Sequence, residues 1–374
     1  MTRHNGVRTV RESDLSALVA LHETIYPAGA SGDLATRTAY LKRLLFQHPW
    51  QADGAPSLVY ENATGDLVGL IGVVPRPMEW KGQPLRMTTT HNYMVDPSHR
   101  SSLAGISLLK TYLAGSQDLS LCQAASGLPQ KLWRSFGGTI DNLHSFHWLW
   151  PLRSVTYISD RLAGHGIPPL VVRALKAGGR VLDAFIDRVR ARAFGGVQAH
   201  VDYKDLSVEH WLDGIIENSR GRALRPVYDV MTLQWLLQIL EGKRRFGTLR
   251  KHAIYKTNGE HLGYYIYYAT TNDISYVLQV GARTGAEGSV LDALARDAWE
   301  QGALALSGWL DTRFIPDISE RALYWKYQHD GPVLIYTRDS ELEAAMCRGD
   351  AWLTPLEAEW WMWNHGWVAP VESV

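Results

Sequence analysis

Cysteine is nearly missing from this sequence, and other absences further narrow what the chain can be. Its 374 residues include 2 cysteines, Cys122 and Cys347, which are too few for a disulfide framework and are expected to be buried thiols. No apolar run approaches the roughly 18 residues that a membrane-spanning helix needs. The segment Met1–Glu12 is polar and charged, unlike a secretory signal, so we expect a cytoplasmic protein.

An excess of charge of either sign is also absent. Lys and Arg together number 38, as do Asp and Glu, so the net charge at pH 7 is zero. A protein that binds nucleic acid over a broad face is usually basic, because each phosphate contact requires a cation. Neutrality therefore disfavours broad nucleic-acid binding and leaves open only a local basic patch.

The motifs of several enzyme classes do not occur. There is no HExxH or CxxC, and the pair His144 and His147 has no third ligand nearby, so we predict no metal site. No Gly-x-Ser-x-Gly is present, which disfavours an α/β-hydrolase. Neither half of the chain contains a Walker loop for nucleotide phosphates.

Tryptophan, by contrast, is abundant. There are 15 tryptophans, and five of them fall between Trp352 and Trp367. An indole buries a large area at low entropic cost. The cluster therefore indicates either a C-terminal segment packed on a core or an aromatic wall of a substrate cleft.

The hydrophobic pattern predicts an α/β chain in which a similar order of elements occurs twice. The first set is predicted at Val7–Val10 (strand), a helix from Glu12, Asp33–Gln47 (helix), Ser57–Asn62, Asp66–Val74 and Leu85–Val95 (strands), Ser101–Leu113 (helix), Leu119–Ala125 (strand) and Pro129–Phe136 (helix). The second is predicted at Asp229–Leu240 (helix), His252–Tyr255, His261–Ala269 and Ser275–Val280 (strands), Gly288–Gln301 (helix), Ala303–Leu310 (strand), Ile318–Gln328 (helix) and Pro332–Tyr336 (strand). This repetition suggests a structural duplication, with domains over residues 1–155 and 229–374 and a helical linker region over 156–228.

The linker region contains one long predicted helix, from Pro168 to about Phe194. Its polar face is rich in arginine, which is typical of the solvated surface of an interdomain helix. A basic amphipathic helix can also bind an anionic membrane or an acidic partner, and both alternatives stay open.

The segment Met94–Leu109 resembles the acyl-CoA motif of GNAT acetyltransferases, which is a strand, then Arg/Gln-x-x-Gly-x-Gly/Ala, then a helix. Arg100 matches the leading arginine and Gly105 the final small residue, but Leu103 stands where the family has a glycine that lets the backbone approach the pyrophosphate. The resemblance implies that acetyl-CoA or another acyl-CoA is the cosubstrate, held at a helix N-terminus. The residues implied in this binding are Met94, Val95, Arg100, Ser101, Ser102, Leu103, Ala104 and Gly105.

Three further segments extend the resemblance over roughly residues 5–340. Lys131–Gly138 is similar to the helix that closes the family's domain, except that Trp133 replaces a tyrosine that often protonates the leaving thiolate, which an indole cannot do. Arg283–Gly288 fits the loop motif formally, but Glu287 would repel phosphates, so we predict a simple helix-entry turn. Arg321–Tyr327 is similar to a segment of GNAT proteins from bacterial polysaccharide clusters, which use two GNAT halves as FemX-type enzymes do.

The implied fold is α/β, with tandem GNAT-like domains, each a mostly antiparallel sheet with flanking helices. The strands on either side of the acyl-CoA loop splay apart, so the pantetheine pairs with the free edge, and backbone amides near Tyr93, Met94 and Val95 hold the thioester carbonyl.

Candidate catalytic and substrate-binding residues follow from this fold. Period-two alternation places His91 and Tyr93 on one strand face, with His91 as a possible general base and Tyr93 as a possible acid. The candidates for substrate binding are His144, His147, Asp311 and Arg313, although structural and loop-capping roles are the alternative.

The sequence thus predicts a bacterial N-acyltransferase in which a primary amine of a small metabolite, amino sugar or amino acid attacks acyl-CoA directly. Two alternatives stay open. One is an aminoacyl-tRNA-dependent transferase of the FemX kind, and the other is a non-catalytic binding protein that has kept the fold. The oligomeric state is not predicted.

Overall fold

A computed structural model describes residues 6–25, 34–51, 54–100, 102–123, 127–163, 178–179, 201–243, 246–321, 324–328 and 331–359. These residues fall into two compact units that interleave along the chain. The first unit takes its residues from Met1–Ser145, Gly221–Leu236 and Gln328–Pro370, and the second from Phe146–Arg220 and Leu237–Tyr327. No helix in the described ranges combines the length and apolar character needed to span a membrane.

The described strands and helices follow the sequence pattern closely through the first half. In chain order the strands are β1 (Gly6–Thr9), β2 (Leu58–Glu61), β3 (Leu67–Trp80), β4 (Gln83–Val95), β5 (Leu119–Cys122), β6 (Thr139–Asp141), β7 (Phe146–Pro151), β8 (Val201–Asp205), β9 (Leu224–Pro226), β10 (Thr248–Lys256), β11 (His261–Ala269), β12 (Ile274–Ala282), β13 (Ala305–Trp309), β14 (Tyr324–Tyr327) and β15 (Val333–Thr337). The helices are α1 (Leu15–Ile25), α2 (Leu34–Phe46), α3 (Ala104–Leu113), α4 (Leu128–Ser135), α5 (Ser154–Ala163), α6 (Val208–Ser219), α7 (Val230–Glu241), α8 (Glu287–Glu300), α9 (Ile315–Arg321) and α10 (Ser340–Cys347).

The sheet of the first unit has the order β1-β2-β3-β4-β5-β15-β6, with β9 beside the end of β3. β4 and β5 are parallel, and the other neighbours are antiparallel. Helix α3 packs on this sheet through Leu108, Leu109 and Tyr112, which the helical period brings to one side. The core there also includes Ile71 and Val73 of β3.

The sheet of the second unit has the order β14-β7-β13-β12-β11-β10-β8. Again one neighbouring pair, β12 and β13, is parallel. Helix α8 buries Val290, Leu291 and Leu294 in the core of this unit. Two mixed sheets with flanking helices confirm the predicted α/β fold class and are consistent with tandem GNAT-like domains.

Each sheet includes a strand that the order of the chain would place in the other sheet. β7 follows β6 in the chain but pairs with β13 and β14, whereas β15 follows β14 but pairs with β5 and β6. The strand predicted at Pro332–Tyr336 therefore exists, but its assignment to the second half is corrected, because it completes the first sheet.

Two other predictions differ from the structure or lie outside it. The helix predicted at Ile318–Gln328 is wrong beyond Arg321, because Tyr324–Tyr327 forms β14, in keeping with the preference of aromatic residues for strands. The long helix predicted from Pro168 to about Phe194 lies almost wholly outside the described residues.

Candidate active site

β4 and β5 pair over a short stretch and then diverge. The parallel register joins Met87–Thr89 to Leu119–Leu121, whereas β4 itself continues to Val95. Beyond Thr89, no described strand pairs with β4 on its β5 side. An open strand edge of this kind offers N–H and C=O groups to an extended ligand.

A β-bulge lies in β4 at the divergence. Gly72 pairs with His91 but Leu70 pairs with Met94, so β4 contains one residue more than β3 in this interval. Asn92 has a φ of 47°, in the left-handed region that asparagine tolerates better than most residues. The extra residue reverses the alternation of side chains that follow it.

The bulge separates the two residues predicted to share a face. His91 lies against Gly72, on the side of the sheet away from α3. Tyr93 lies on the α3 side, where its hydroxyl donates a 2.7 Å hydrogen bond to the carbonyl of Gly105. The prediction that His91 and Tyr93 point the same way is therefore wrong, because it assumed an unbroken period of two.

Neither predicted catalytic side chain has the acidity that its role favours. Burial, with His48 nearby, lowers the pKa of His91 to about 3, so the ring is neutral at physiological pH and binds a proton weakly. Burial raises the pKa of Tyr93 well above its usual value. A general base or acid works best when its pKa lies near the operating pH, so neither side chain is well suited to its predicted role.

Substitution of Gly72 tests how tightly His91 is held. A Cβ at Gly72 would overlap the imidazole ring of His91. We expect Gly72→Ala to lower the free energy of unfolding by about 1–3 kcal/mol, because the ring or β3 must shift. Chemical denaturation measures this loss. The double variant Gly72→Ala, His91→Ala should recover part of it, and an unchanged midpoint in the single variant would contradict the packing.

The loop between β4 and α3 has Leu103 where the motif has a glycine. Asp96 accepts a 2.8 Å hydrogen bond from the amide of Ser98, which fixes the turn after β4. Leu103 has φ −78° and ψ 5°, which any residue can adopt, and its side chain is 66% exposed. The missing glycine therefore does not strain this loop.

Gly105 brings the start of α3 close to β4. A Cβ at this position would lie 3.0 Å from the hydroxyl of Tyr93 and 3.3 Å from Cγ2 of Val95. The helix begins at Ala104, whose amide donates to the hydroxyl of Ser102 at 3.2 Å. The other residues implied in cosubstrate binding differ in exposure. Met94 is buried and Arg100 is exposed, while Ser101 lies outside the described residues.

A segment near residue 359 contacts the same part of β4. The hydroxyl of Thr89 donates to the carbonyl of Glu357 at 2.8 Å. The amide of Asn92, the bulge residue, donates to Oε1 of Glu359 at 3.2 Å. No local pattern in the sequence points to Glu359. Packing on a core was one of the two interpretations of the tryptophan cluster, and Trp352 is buried. The four later tryptophans of the cluster lie outside the described residues.

The Glu359 carboxyl should make stability depend on pH. Burial raises its pKa to about 8, whereas an unfolded chain ionises it near 4.3. Because the pKa is higher in the folded protein than in the unfolded chain, the protonated carboxyl contributes its full stability below about pH 4.3. This contribution is lost as the pH rises through about 8. We expect Glu359→Gln to raise the melting temperature by a few degrees at pH 8 and by much less at pH 5. Thermal denaturation at both pH values checks this, and an equal shift at both would contradict it.

The four residues predicted to bind substrate belong to two different units. His144 lies in the first unit, where its Nδ1 is 2.6 Å from a carboxylate oxygen of the buried Asp141. His147 belongs to β7 of the second unit and is half-buried beside Trp309. The structure therefore supplies no evidence of a shared role for the two histidines. Nowhere in the described chain do three His, Cys, Asp or Glu side chains gather as metal ligands would.

Asp311 and Arg313 have the loop-capping arrangement. A carboxylate oxygen of Asp311 accepts from the amide of Arg313 at 2.9 Å. The guanidinium of Arg313 donates to the side-chain oxygen of Asn218 at 3.0 Å and pairs with Asp311. Their substrate-binding role stays a prediction.

Two other motif residues have structural roles. Glu287 accepts a 2.7 Å hydrogen bond from the amide of Gly285, as expected of a helix-entry turn. Trp133 is buried, and its indole N–H donates to the carbonyl of Ile335 in β15. It therefore stabilises the core on the α3 side.

Comparisons with known proteins give a likeness at the level of the fold. No protein-family model matches the sequence. No curated protein matches it either. The chain is similar to a solved structure from Enterococcus faecalis V583, described as a conserved protein of unknown function and a probable N-acyltransferase. The TM-score is 0.57 at 12% identity, over 88% of this chain and 72% of that one.

Two further solved structures are similar. One is a GCN5-related N-acetyltransferase from Anabaena variabilis, with a TM-score of 0.54 at 13% identity over 89% of this chain and 72% of the other. The second is Saccharomyces cerevisiae N-myristoyltransferase with bound myristoyl-CoA, with a TM-score of 0.50 at 12% identity over 88% and 77%. At these identities the likeness shows the fold alone, which is that of the GCN5-related N-acetyltransferases.

Proposed function

We propose that the first unit transfers an acyl group from acyl-CoA to a primary amine of a small metabolite, amino sugar or amino acid. The observation that carries this proposal is the divergence of β4 from β5 beside a helix whose start Gly105 allows to pack close to β4. Structures with this fold include proteins named as N-acetyltransferases and one that holds myristoyl-CoA.

The described residues fit an acyl-CoA. The open edge of β4 after Thr89 suits the pantetheine, which has amide groups that can pair like a strand. The start of α3 suits the pyrophosphate, because helix N-termini present unpaired amides and a favourable dipole. The exposed Arg100 adds a cation beside this helix start. Leu103 has an ordinary backbone conformation, and the missing Cβ of Gly105 lets this helix start lie close to β4.

The transfer needs three contributions from the chain. Backbone amides near Tyr93, Met94 and Val95 would hold the thioester carbonyl and then stabilise the oxyanion of the tetrahedral intermediate. A base must take the proton that the amine loses as its nitrogen bonds to the carbonyl carbon. When the C–S bond breaks, the thiolate must be stabilised or protonated, and Tyr93 and solvent stay candidates for that step.

Calorimetric titration with acetyl-CoA tests this function directly. We expect saturable binding by the wild-type protein. The affinity of Arg100→Ala for acetyl-CoA should be several-fold lower, because one cation near the phosphates is lost. Lys110→Ala, which removes a cation from the last turn of α3, is the matched control and should bind as the wild type does. A wild-type protein that binds neither acetyl-CoA nor a longer acyl-CoA would contradict the proposal.

The alternatives are less well supported. The aminoacyl-tRNA hypothesis depends on the duplicated halves and on a predicted basic helix that lies almost wholly outside the described residues, and the zero net charge of the chain counts against it. The non-catalytic hypothesis depended on Leu103 and Trp133, and Leu103 has a backbone conformation that suits the loop.

A further inference from the structure

The segment that includes Glu359 is anchored by buried polar contacts. Arg76 of β3 is buried, donates to the carbonyl of Leu356 at 2.8 Å, and packs over the ring of Trp50 at 4.2 Å. Glu357 accepts from both the amide and the hydroxyl of Thr354, at 2.6 and 2.8 Å. Because buried polar groups are costly unless they are paired, these contacts fix the segment against the sheet.

This anchoring places one carboxyl group between the diverging strands. On the β4 side, Glu359 accepts the hydrogen bond from the amide of Asn92. On the β5 side, its charge contributes to a raised pKa of the Cys122 thiol. The carboxyl therefore lies at the bulge, beside the amides that are proposed to hold the thioester carbonyl. An amine that attacks this carbonyl would approach within reach of it.

We propose that Glu359 is the general base of the acyl transfer, an assignment that rests on the function proposed above. As the amine nitrogen bonds to the thioester carbon, one N–H bond breaks and its proton passes to the Glu359 carboxylate. The tetrahedral intermediate then collapses, the C–S bond breaks with its electron pair on sulfur, and the proton leaves Glu359 for the thiolate. The products are an amide and free CoA, and the carboxylate is regenerated.

Burial shifts the pKa of several groups around the bulge, and it raises that of Glu357 as well as that of Glu359. The titratable and charged side chains on the elements around the bulge are His48, Arg76, His91, Tyr93, Cys122, Tyr228 and Glu357. Burial lowers the pKa of His91 to about 3, raises that of Cys122 to about 12, and raises that of Glu359 to about 8. The base acts when it is ionised, so transfer should accelerate as the pH rises through about 8.

The test compares wild type with Glu359→Gln and Glu359→Asp. Acetyl-CoA binding is measured by calorimetry, and transfer to a panel of primary amines is followed by the release of free CoA thiol from pH 6 to 9.5. For Glu359→Gln we expect acetyl-CoA binding within about twofold of wild type and a kcat/KM that is lower by about 100-fold or more. The pH–rate profile of this variant should lose the limb that has an apparent pKa near 8. Glu359→Asp should retain a carboxylate-dependent limb at a reduced rate. Glu341→Gln, an exposed glutamate of α10, is the control and should behave as wild type.

The outcomes separate this assignment from the function on which it rests. A wild-type protein without acyl-CoA binding overturns both. A wild type that binds acetyl-CoA but acylates no amine overturns the role of Glu359 and leaves the acyl-CoA site in place. If Glu359→Gln keeps the wild-type rate and pH profile, or binds acetyl-CoA more tightly with kcat unchanged, Glu359 is not the base although the enzyme is an acyltransferase.

Discussion

Residues 1–145 expressed alone are expected not to fold, although they include β4, β5 and the whole loop between them. The fragment lacks β15, which pairs with both β5 and β6. Val333, Leu334 and Ile335 of β15 are fully buried. Burial of each such side chain contributes about 1.5–3 kcal/mol. Their combined loss approaches the 5–15 kcal/mol by which a whole domain is typically stable.

Circular dichroism and amide NMR spectra of the fragment measure this effect. The full-length chain, in which β15 pairs with β5 and β6, is the control and should show a cooperative transition and dispersed amide signals. A fragment 1–145 that unfolds cooperatively without β15 would contradict the expectation.

Gly105→Leu is expected to abolish acyl-CoA binding while the first sheet stays formed. The new side chain would meet Tyr93 and Val95, which even a Cβ approaches at 3.0 and 3.3 Å. The start of α3 must then move away from β4, and the amides proposed to bind the pyrophosphate move with it. A loss of at least 100-fold in affinity is reasonable, because a displaced loop loses several phosphate contacts together.

Two variants at the same loop serve as graded controls. Gly105→Ala adds one methyl and should weaken acetyl-CoA binding less than leucine does. Leu103→Gly introduces the residue usual in the family, but its effect should be within a few-fold, because the φ of −78° at Leu103 does not need a glycine. Calorimetry gives the affinities, and circular dichroism reports whether the sheet is kept. If Gly105→Leu binds acetyl-CoA as tightly as wild type does, this loop is not part of the acyl-CoA site.

Much of the fold was predictable because it depends on local patterns. Strand β4 was predicted at Leu85–Val95 and is found at Gln83–Val95, and helix α2 was predicted at Asp33–Gln47 and is found at Leu34–Phe46. Alternation and helical spacing report directly on which residues face a core. The loop after β4 was predictable for the same reason, since its residues are contiguous in sequence.

The features that were missed depend on contacts between distant residues. No local pattern indicates that Asn92 adopts a positive φ, so the face of Tyr93 was assigned wrongly. The placement of β15 in the first sheet is a pairing across more than two hundred residues, which hydrophobic periodicity does not specify. The role proposed for Glu359 could not be predicted from the sequence, because it depends on the position of this carboxyl beside Asn92 and Cys122, which are both far away in the chain.

The exchange of β7 and β15 between the sheets has a consequence for synthesis on the ribosome. β5 ends at Cys122, but its antiparallel neighbour begins only at Val333. At about 5–20 residues per second, the β5 edge waits roughly 10–40 s for its partner strand to be made. An unpaired edge is a template for pairing with other chains during that interval. The yield of folded protein should therefore depend on chaperones that protect the nascent chain, and this dependence should grow with the time for which the β5 edge stays unpaired.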